Sequence, residues 1–278
     1  MNAIRIAAAC MALLVGWSAQ AQEKGLVFAH RGGAGEFDEN TLAAFKGSYE
    51  KGLRGFETDI RMTRDGVLAI LHDDALQRMY NSAGRLEEMT ASELRQFKTK
   101  KSGQPFLFLD ELLAYFADKP GVYLEFEMKT GNTKTYPDAK LEEYCQKLYD
   151  AVMAKHPKGS IYVFTSFDKR PLKILKRLHP DADLMLISDG PCNDQVMQQA
   201  KELGVKRVGC RIEGTSRTAV QTAHKAGLKV TGWPGKSLED YLLGLGLGLD
   251  AICTDIPVAI HTWKTENLKP LPPQTPGK

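Results

Sequence analysis

The chain has 278 residues, 43% of them hydrophobic, and a formal net charge of +3. Its lysines are scattered and form no basic patch, so neither nucleic acid nor an anionic membrane surface is expected as a partner. The length suits one α/β barrel of about 250 residues as well as it suits two small domains.

The first 21 residues have the features of a secretory signal. Arg5 is followed by an apolar run over 6–17, and small residues end the segment at Ala21. The run is shorter than the ~20 residues of a membrane-spanning helix, so no stable membrane span is expected, although an uncleaved anchor is the alternative. Residues 1–21 are therefore predicted to be a cleaved signal peptide, with Gln22 as the mature start and the periplasm or the exterior as the destination.

Short apolar or β-branched runs alternate with helical patterns along the rest of the chain. The predicted strands are Leu26–Ala29, Phe56–Met62, Val67–His72, Val122–Met128, Ile161–Phe164, Leu184–Ile187, Arg207–Ile212, Lys229–Thr231 and Ala251–Thr254. The predicted helices include Thr41–Lys51, Asp138–Lys155, Lys169–Leu178, Asp194–Leu203 and Thr215–Ala226. Such alternation is typical of parallel sheets with crossover helices.

One pair of strands has no helix between its members. The second and third predicted strands are separated only by 63–66, and the Asp65-Gly66 pair at that spacing predicts a hairpin. If the third strand lies outside the barrel, eight parallel strands remain, which is the number of a closed (β/α)8 TIM barrel. An open doubly wound sheet is the alternative. We expect one domain over 22–268 and a disordered proline-rich tail over 269–278.

Two acidic residues occupy the second predicted strand. Glu57 and Asp59 are two positions apart, so in an extended strand they project from the same face. A pair of carboxylates facing one way repels unless a cation lies between them, and ligands that offer only oxygen favour Mg²⁺ or Ca²⁺. A polar face on an exposed edge strand is the alternative interpretation.

The hairpin brings a histidine to these carboxylates. Folding the chain about the Asp-Gly turn pairs residues whose numbers sum to about 130, which places His72 close to Asp59. Farther along, Glu127 and Lys129 share one face of their strand. Glu127 could complete a site of three carboxylates, and Lys129 offers a positive charge to an anionic ligand. A simple salt bridge between these two residues is the alternative.

His30 and Arg31 end the first predicted strand just before a glycine-rich turn. Ligand sites of α/β barrels lie at the C-terminal ends of the strands, so these residues are expected to meet the carboxylates there. The arginine fork suits phosphate oxygens, and glycine allows a ligand to approach the backbone. A metal site, an anion clamp and two histidines together form the equipment for phosphodiester cleavage.

Four cysteines lie beyond the signal segment, which is too few for a disulfide scaffold. Cys210 and Cys253 fall inside apolar runs and are predicted to be buried thiols. A bridge that involves Cys145 or Cys192 stays possible.

In order and spacing, these residues resemble the glycerophosphodiester phosphodiesterase family, barrel enzymes related to phosphatidylinositol-specific phospholipase C. The resemblance covers nearly the whole mature chain. Its motifs are His30-Arg-Gly32, Glu39-Asn-Thr41, Glu57-Thr-Asp59, Thr63-Arg-Asp-Gly66, His72-Asp73, Glu127-Met-Lys129, Trp233 and the ending Asp250-Ala-Ile-Cys-Thr-Asp-Ile-Pro257.

The resemblance implies a (β/α)8 barrel with an insertion over roughly 73–120 near the mouth of the active site. It also implies hydrolysis of a small-molecule glycerophosphodiester to glycerol 3-phosphate and an alcohol. The implied site residues are Glu57, Asp59 and Glu127 as ligands of one divalent cation, Mg²⁺ or Ca²⁺; His30 and His72 as general acid and base; Arg31 and Lys129 on the phosphate; and Trp233 as an apolar wall.

Two positions depart from the family pattern. Asp38 stands where proline is common, with Asn40 or Thr41 still able to cap the next helix. Trp233 is followed by Pro-Gly-Lys236, where the family often has Thr-x-Asn, so Lys236 either adds a charge beside the alcohol or, as we favour, is an exposed loop residue. The alternative functions are a lysophospholipase D or sphingomyelinase D-like enzyme acting on larger lipids, and an inactive barrel that binds a phosphodiester.

Overall fold

The computed structural model describes residues 25–268. The predicted signal peptide over 1–21 and the proline-rich tail over 269–278 lie outside the described residues. Within the described part, none of the helices combines the length and the hydrophobicity that crossing a membrane requires.

Eight parallel strands close into a barrel within residues 25–268. Each strand pairs with its neighbours in the order β1-β9-β8-β7-β6-β5-β4-β2, and a β1–β2 pairing at Ala29 and Phe56 completes the ring. A short β3 pairs antiparallel on the outer edge of β2. The strands are β1 Leu26–Ala29, β2 Gly55–Met62, β3 Leu68–Ile70, β4 Tyr123–Met128, β5 Ile161–Ser166, β6 Leu184–Pro191, β7 Arg207–Arg211, β8 Lys229–Gly235 and β9 Ala251–Thr254.

Helices follow the strands on the outside of the barrel. They are α1 Leu42–Glu50, α2 Ala91–Leu94, α3 Leu109–Phe116, α4 Asp138–Ala154, α5 Lys169–Leu178, α6 Asp194–Leu203, α7 Arg217–Lys225, α8 Leu238–Leu247 and α9 Pro257–Asn267. Their starts are set by local chemistry, because Thr41, Asn193 and Ser237 each accept a hydrogen bond from a first-turn backbone N–H. The predicted (β/α)8 architecture, with the hairpin arm outside the ring, is confirmed.

Three hydrophobic clusters divide the interior. The largest lies between the strands and the helices, and the leucines of α3 belong to it. A second cluster fills the lumen of the barrel and contains Phe28, Tyr123, Val163, Met185, Ala251 and Cys253. The third joins the end of β3 to the segment that follows it, up to Phe108. The chain therefore leaves the βα repeat after β3, builds a small core of its own and returns at α3.

A buried ion pair ties this extra segment to the barrel. Arg61 of β2 lies 2.7 Å from Glu87, and Tyr136 donates to the same carboxylate at 3.3 Å. Arg61 also donates to the backbone oxygens of Leu71 and His72, at 3.1 and 2.7 Å. Arg61 thus fixes the backbone of the segment after β3 that carries His72.

Candidate active site

Two neighbouring strands supply the acidic centre of the site. β2 and β4 are parallel, and their register places Asp59 opposite Glu127. Oxygen atoms of Glu57, Asp59 and Glu127 all lie within 4.8 Å of one another, and the three side chains are buried. The two-residue spacing of Glu57 and Asp59 on β2, together with the register of β4, therefore produces one cluster at the C-terminal end of the barrel.

Two of these oxygens are prepared for a ligand. Glu57 Oε1 and Asp59 Oδ1 are buried and have no hydrogen-bond partner among residues 25–268. Burial raises the pKa of Glu57 well above its usual range, and the nearby charges of Asp59 and Glu127 raise it further. A hard divalent cation would satisfy both oxygens and remove the repulsion, so the three carboxylates fit such an ion.

The environment of Asp59 favours its charged form. Burial alone would raise its pKa, but Lys129, His72, Arg31 and a hydrogen bond from Asn40 outweigh burial and hold the pKa below its usual range. Asn40 donates through Nδ2 at 2.7 Å and accepts from Thr58 through Oδ1. Thr41, and not Asn40, caps α1, so the amide of Asn40 serves to orient the carboxylate.

Each of the two predicted histidines is oriented by a carboxylate. His30 Nδ1 lies 2.5 Å from Asp255 Oδ1, just beyond β9, and His72 Nδ1 lies 2.7 Å from Asp73 Oδ1. Because an ionised carboxylate only accepts, Nδ1 carries the hydrogen in each ring and Nε2 is left for proton transfer. Nε2 of His30 lies 4.0 Å from Glu57 Oε2, at the edge of the carboxylate cluster.

Burial gives His72 a preference for its neutral form. Desolvation lowers the pKa of His72, and the positive charges of Lys129 and Arg31 add to this effect, against the opposing charge of Asp59. His72 occupies the same cavity wall as His30 and Glu127. The hairpin thus brings a second, neutral imidazole to the carboxylates, as the register argument predicts.

Two cationic side chains flank the cluster. The Arg31 guanidinium lies 3.1 Å from Glu39 and 3.5 Å from Asp59, and its backbone N–H donates to Glu57. Lys129 Nζ lies 2.8 Å from Glu127 and 3.5 Å from Asp59. The salt bridge considered from the sequence is therefore present, and it holds the ammonium of Lys129 at the rim of the proposed cation site.

A cavity of about 550 Å³ opens above the acidic cluster. Trp233 of β8 forms part of its wall, with Phe167 edge-on at 5.4 Å and Arg211 over the indole at 4.6 Å between centres. Lys236 is exposed and lies at the rim of the same cavity. The prediction that Lys236 is an exposed loop residue is therefore confirmed. Its positive charge is nevertheless available to a ligand that enters the cavity.

Several residues of the site were not predicted as functional residues. Asn40 lies in the family motif Glu39-Asn-Thr41 and Asp255 in the motif that ends at Pro257. Membership of these motifs was the only indication in the sequence that either residue belongs to the site. Glu39 accepts hydrogen bonds from Arg31 and from Arg78. Arg78 lies in the extra segment after β3, and no sequence pattern there indicated that it would reach the site. Phe167 directly follows β5 and Arg211 ends β7, so their position at the C-terminal end of the barrel could have drawn attention to them.

The carboxylate of Asp255 gives a first prediction. Asp255→Asn should lower kcat by about 10–100-fold, because loss of the acceptor frees the ring of His30 to rotate and to change tautomer. Asp250→Asn is a matched control. Asp250 pairs with His224 at a distance of 2.8 Å, and neither residue lines the cavity. Steady-state kinetics check this, and an unaltered kcat in Asp255→Asn would show that His30 does not depend on the pair.

Comparison with known proteins points to one family. The model of the glycerophosphoryl diester phosphodiesterase family matches residues 30–259. A glycerophosphodiester phosphodiesterase of Caldanaerobacter subterraneus subsp. tengcongensis is 28% identical over 84% of this chain and 95% of its own, and one of Bacillus altitudinis is 26% identical over 83% and 94%. Among solved structures, an Oleispira antarctica phosphodiesterase in complex with the product sn-glycerol-3-phosphate superposes with a TM-score of 0.77. The two sequences are 23% identical, and the match covers 85% of this chain and 95% of that one.

Proposed function

The chain belongs to the glycerophosphoryl diester phosphodiesterase family, and from this membership we propose that it hydrolyses glycerophosphodiesters to glycerol 3-phosphate and an alcohol. The proposal includes one divalent cation, Mg²⁺ or Ca²⁺, at Glu57, Asp59 and Glu127. The observation that carries it is the pair of buried oxygens on Glu57 and Asp59 that have no hydrogen-bond partner in the described part of the chain and lie beside His30. When bound, the cation supplies positive charge that stabilises the phosphate in the transition state.

Side chains around the carboxylates would bind and orient the substrate. Arg31 and Lys129 lie on either side of the carboxylates and would bind the non-bridging oxygens of the phosphate, Arg31 through its planar fork. The indole of Trp233 would pack on the glycerol or on the leaving alcohol. These contacts hold the phosphorus between the two histidines, which turns an encounter in solution into a reaction of bound groups.

Proton transfer falls to His30 and His72. One imidazole Nε2 takes the proton of the attacking hydroxyl as its oxygen forms a bond to phosphorus. The attacking group is either a water, which gives glycerol 3-phosphate directly, or a glycerol hydroxyl, which gives a cyclic phosphate that a water then opens to glycerol 3-phosphate. The P–O bond to the alcohol breaks, and the second imidazole protonates the departing alkoxide. An alkoxide is a poor leaving group without this proton, so both steps are expected to contribute to the rate.

The walls of the cavity favour a small diester over a lipid. A lysophospholipid would need a wide apolar groove beside Trp233 for its acyl chain. In the described chain this position carries Phe167 together with the charged side chains of Arg211 and Lys236. Arg211, which pairs with Asp189 at 2.5 Å, and Lys236 make this end of the cavity polar, which suits a compact polar head group better than a hydrocarbon chain.

A substrate panel tests the proposed function. Purified protein with Mg²⁺ or Ca²⁺ should release glycerol 3-phosphate from glycerophosphocholine or glycerophosphoethanolamine, and EDTA should stop the release until the metal is restored. An enzymatic assay of glycerol 3-phosphate measures this. Turnover of lysophosphatidylcholine without turnover of either small diester would support the lipid alternative. No turnover of any diester with any divalent metal would support a binding function instead.

We also propose that residues 1–21 direct the protein out of the cytoplasm. The support is the charged start, the apolar run and the small-residue ending at Ala21. Expression of the full chain in a bacterial host should yield a mature protein in the periplasm or the medium. N-terminal sequencing should begin at Gln22, and a cytoplasmic product that still begins at Met1 would contradict the proposal.

A further inference from the structure

We propose that the protein has a second metal site, formed by His30, Glu57 and Cys253, that takes Zn²⁺ and inhibits the enzyme. A ring nitrogen of His30, a carboxylate oxygen of Glu57 and the sulfur of Cys253 all lie within 4.8 Å of one another. The set differs from the three-carboxylate cluster in its chemistry, because it offers one nitrogen, one oxygen and one sulfur. The two sets share only Glu57.

The ligand types decide which metal each set prefers. Mg²⁺ and Ca²⁺ favour oxygen ligands, as found among Glu57, Asp59 and Glu127. Imidazole and thiolate favour Zn²⁺ and bind it in tetrahedral sites. A histidine, a carboxylate and a cysteine with one position left for water or substrate form an ordinary zinc ligand set, whereas they would be a poor site for Mg²⁺.

The histidine of this set is already oriented for a metal. Asp255 lies 2.5 Å from Nδ1 of His30, which fixes the ring and leaves Nε2 as the ligand atom. A carboxylate behind a histidine is the usual outer contact of a zinc-binding imidazole. Nε2 lies 4.0 Å from Glu57 Oε2. Tetrahedral zinc would bring these atoms to roughly 3.5 Å, so a small rotation of side chains is enough.

The strand register brings the cysteine to this point. β1 and β9 are parallel, and Cys253 lies opposite Phe28, two residues before His30. The Cys253 side chain is buried in the lumen cluster and borders the cavity. In the described chain the buried Oε1 of Glu57 has no hydrogen-bond partner, which leaves it available to either metal. Binding of Zn²⁺ would displace the thiol proton to solvent without any change of oxidation state.

Inhibition follows from the double use of His30. A zinc ion on Nε2 occupies the lone pair that proton transfer requires, so the bound enzyme would lose one of its two proton-transfer groups. This consequence rests on the proposed function, whereas binding of the metal does not.

The binding test needs no activity. Metal-free protein titrated with Co²⁺, which reports on zinc sites, should show a near-ultraviolet charge-transfer band from sulfur to the metal. Cys253→Ser and Cys253→Ala should lose the band. Cys145→Ser should keep it, because Cys145 lies on α4 with its thiol near Pro171. Absence of the band in the wild type, or its persistence in both Cys253 variants, would overturn the proposed site.

A second experiment measures inhibition of the enzyme by Zn²⁺. In the presence of Mg²⁺, Cys253→Ser should need about 10-fold more Zn²⁺ than the wild type for half-inhibition, each measured against its own uninhibited rate. Cys145→Ser should match the wild type. Equal zinc sensitivity in wild type and Cys253→Ser would overturn the inhibitory role. A sulfur charge-transfer band in a protein that turns over no diester would support the metal site and contradict the proposed function.

Discussion

His30→Asn and His72→Asn are each expected to lower kcat by about 10²–10⁴-fold, the usual contribution of a positioned general acid or base. Asparagine keeps an N–H that can face Asp255 or Asp73 and removes the ring nitrogen that exchanges the proton. Neither histidine belongs to the three-carboxylate cluster, so both variants should bind Mg²⁺ as the wild type does. Steady-state kinetics and a metal-dependent thermal shift together measure the two effects.

An activated substrate separates the roles of the two histidines. An aryl phosphodiester has a weakly basic leaving group, so the variant that lacks the general acid should recover most of its rate on it. The variant that lacks the base should stay impaired. His156→Asn is a matched control, because His156 lies outside the cavity and contacts the backbone of Ser160. Near-normal turnover in either site variant would show that the acid–base assignment is wrong.

Glu57→Gln is expected to abolish most of the metal-dependent activity and to stabilise the metal-free protein. A bound cation that contributes roughly 4 kcal/mol to the transition state corresponds to a loss of about 10³-fold. The gain in stability has a different origin, because burial and the charges of Asp59 and Glu127 raise the pKa of Glu57. Glutamine has about the same shape and can accept from Arg31, but it carries no charge to desolvate.

The pH dependence of this stability follows from the direction of the shift. Glu57 is protonated in both folded and unfolded chains below its unfolded pKa of about 4.3, so wild type and variant should be alike there. Above that pH the unfolded wild type ionises more readily than the folded one, which lowers the free energy of unfolding. Glu57→Gln should therefore melt higher at pH 7, by roughly 2–4 °C per kcal/mol, and the difference should disappear near pH 4.

Added Mg²⁺ should reverse the order of the two proteins. The metal binds the folded wild type and raises its melting temperature, whereas the variant should respond weakly. Glu125→Gln is the control, since burial also raises the pKa of Glu125, to about 8, and Glu125 is not one of the three clustered ligands. This control should keep its response to Mg²⁺. A full Mg²⁺ response in Glu57→Gln would exclude Glu57 as a ligand.

The sequence predicted the barrel and the convergence of the site because both depend on local rules. The Asp65-Gly66 turn sets the register of the hairpin, and the observed pairs Ile60–Ile70 and Met62–Leu68 have the predicted sum. The spacing of Glu57 and Asp59 then determines which face they share. Parallel strands place their C-terminal ends together, so residues distant in the chain could be assigned to one site.

Other features depend on packing that a single sequence does not reveal. The glycines of α8 hid the helical pattern of this segment in the sequence. In the structure, a Cβ atom at Gly244 would lie only 2.5 Å from Ile252, so the glycine is what allows the helix to pack closely on β9. Asn40 resembled a helix cap, and only the fold brings its amide to Asp59. The extra segment after β3 could not be traced from periodicity, because its short turns build a core with no regular repeat.

The contact between His30 and Asp255 also predicts when a newly synthesised chain should reach full activity. The two residues are 225 positions apart, at the first and last strands of the barrel. During synthesis, the early strands with Glu57 and Asp59 emerge long before Asp255 does, so a nascent chain holds its acidic residues without the partner that orients His30. Full activity is therefore expected only after the last strand docks beside the first, so turnover would report that the ring has closed.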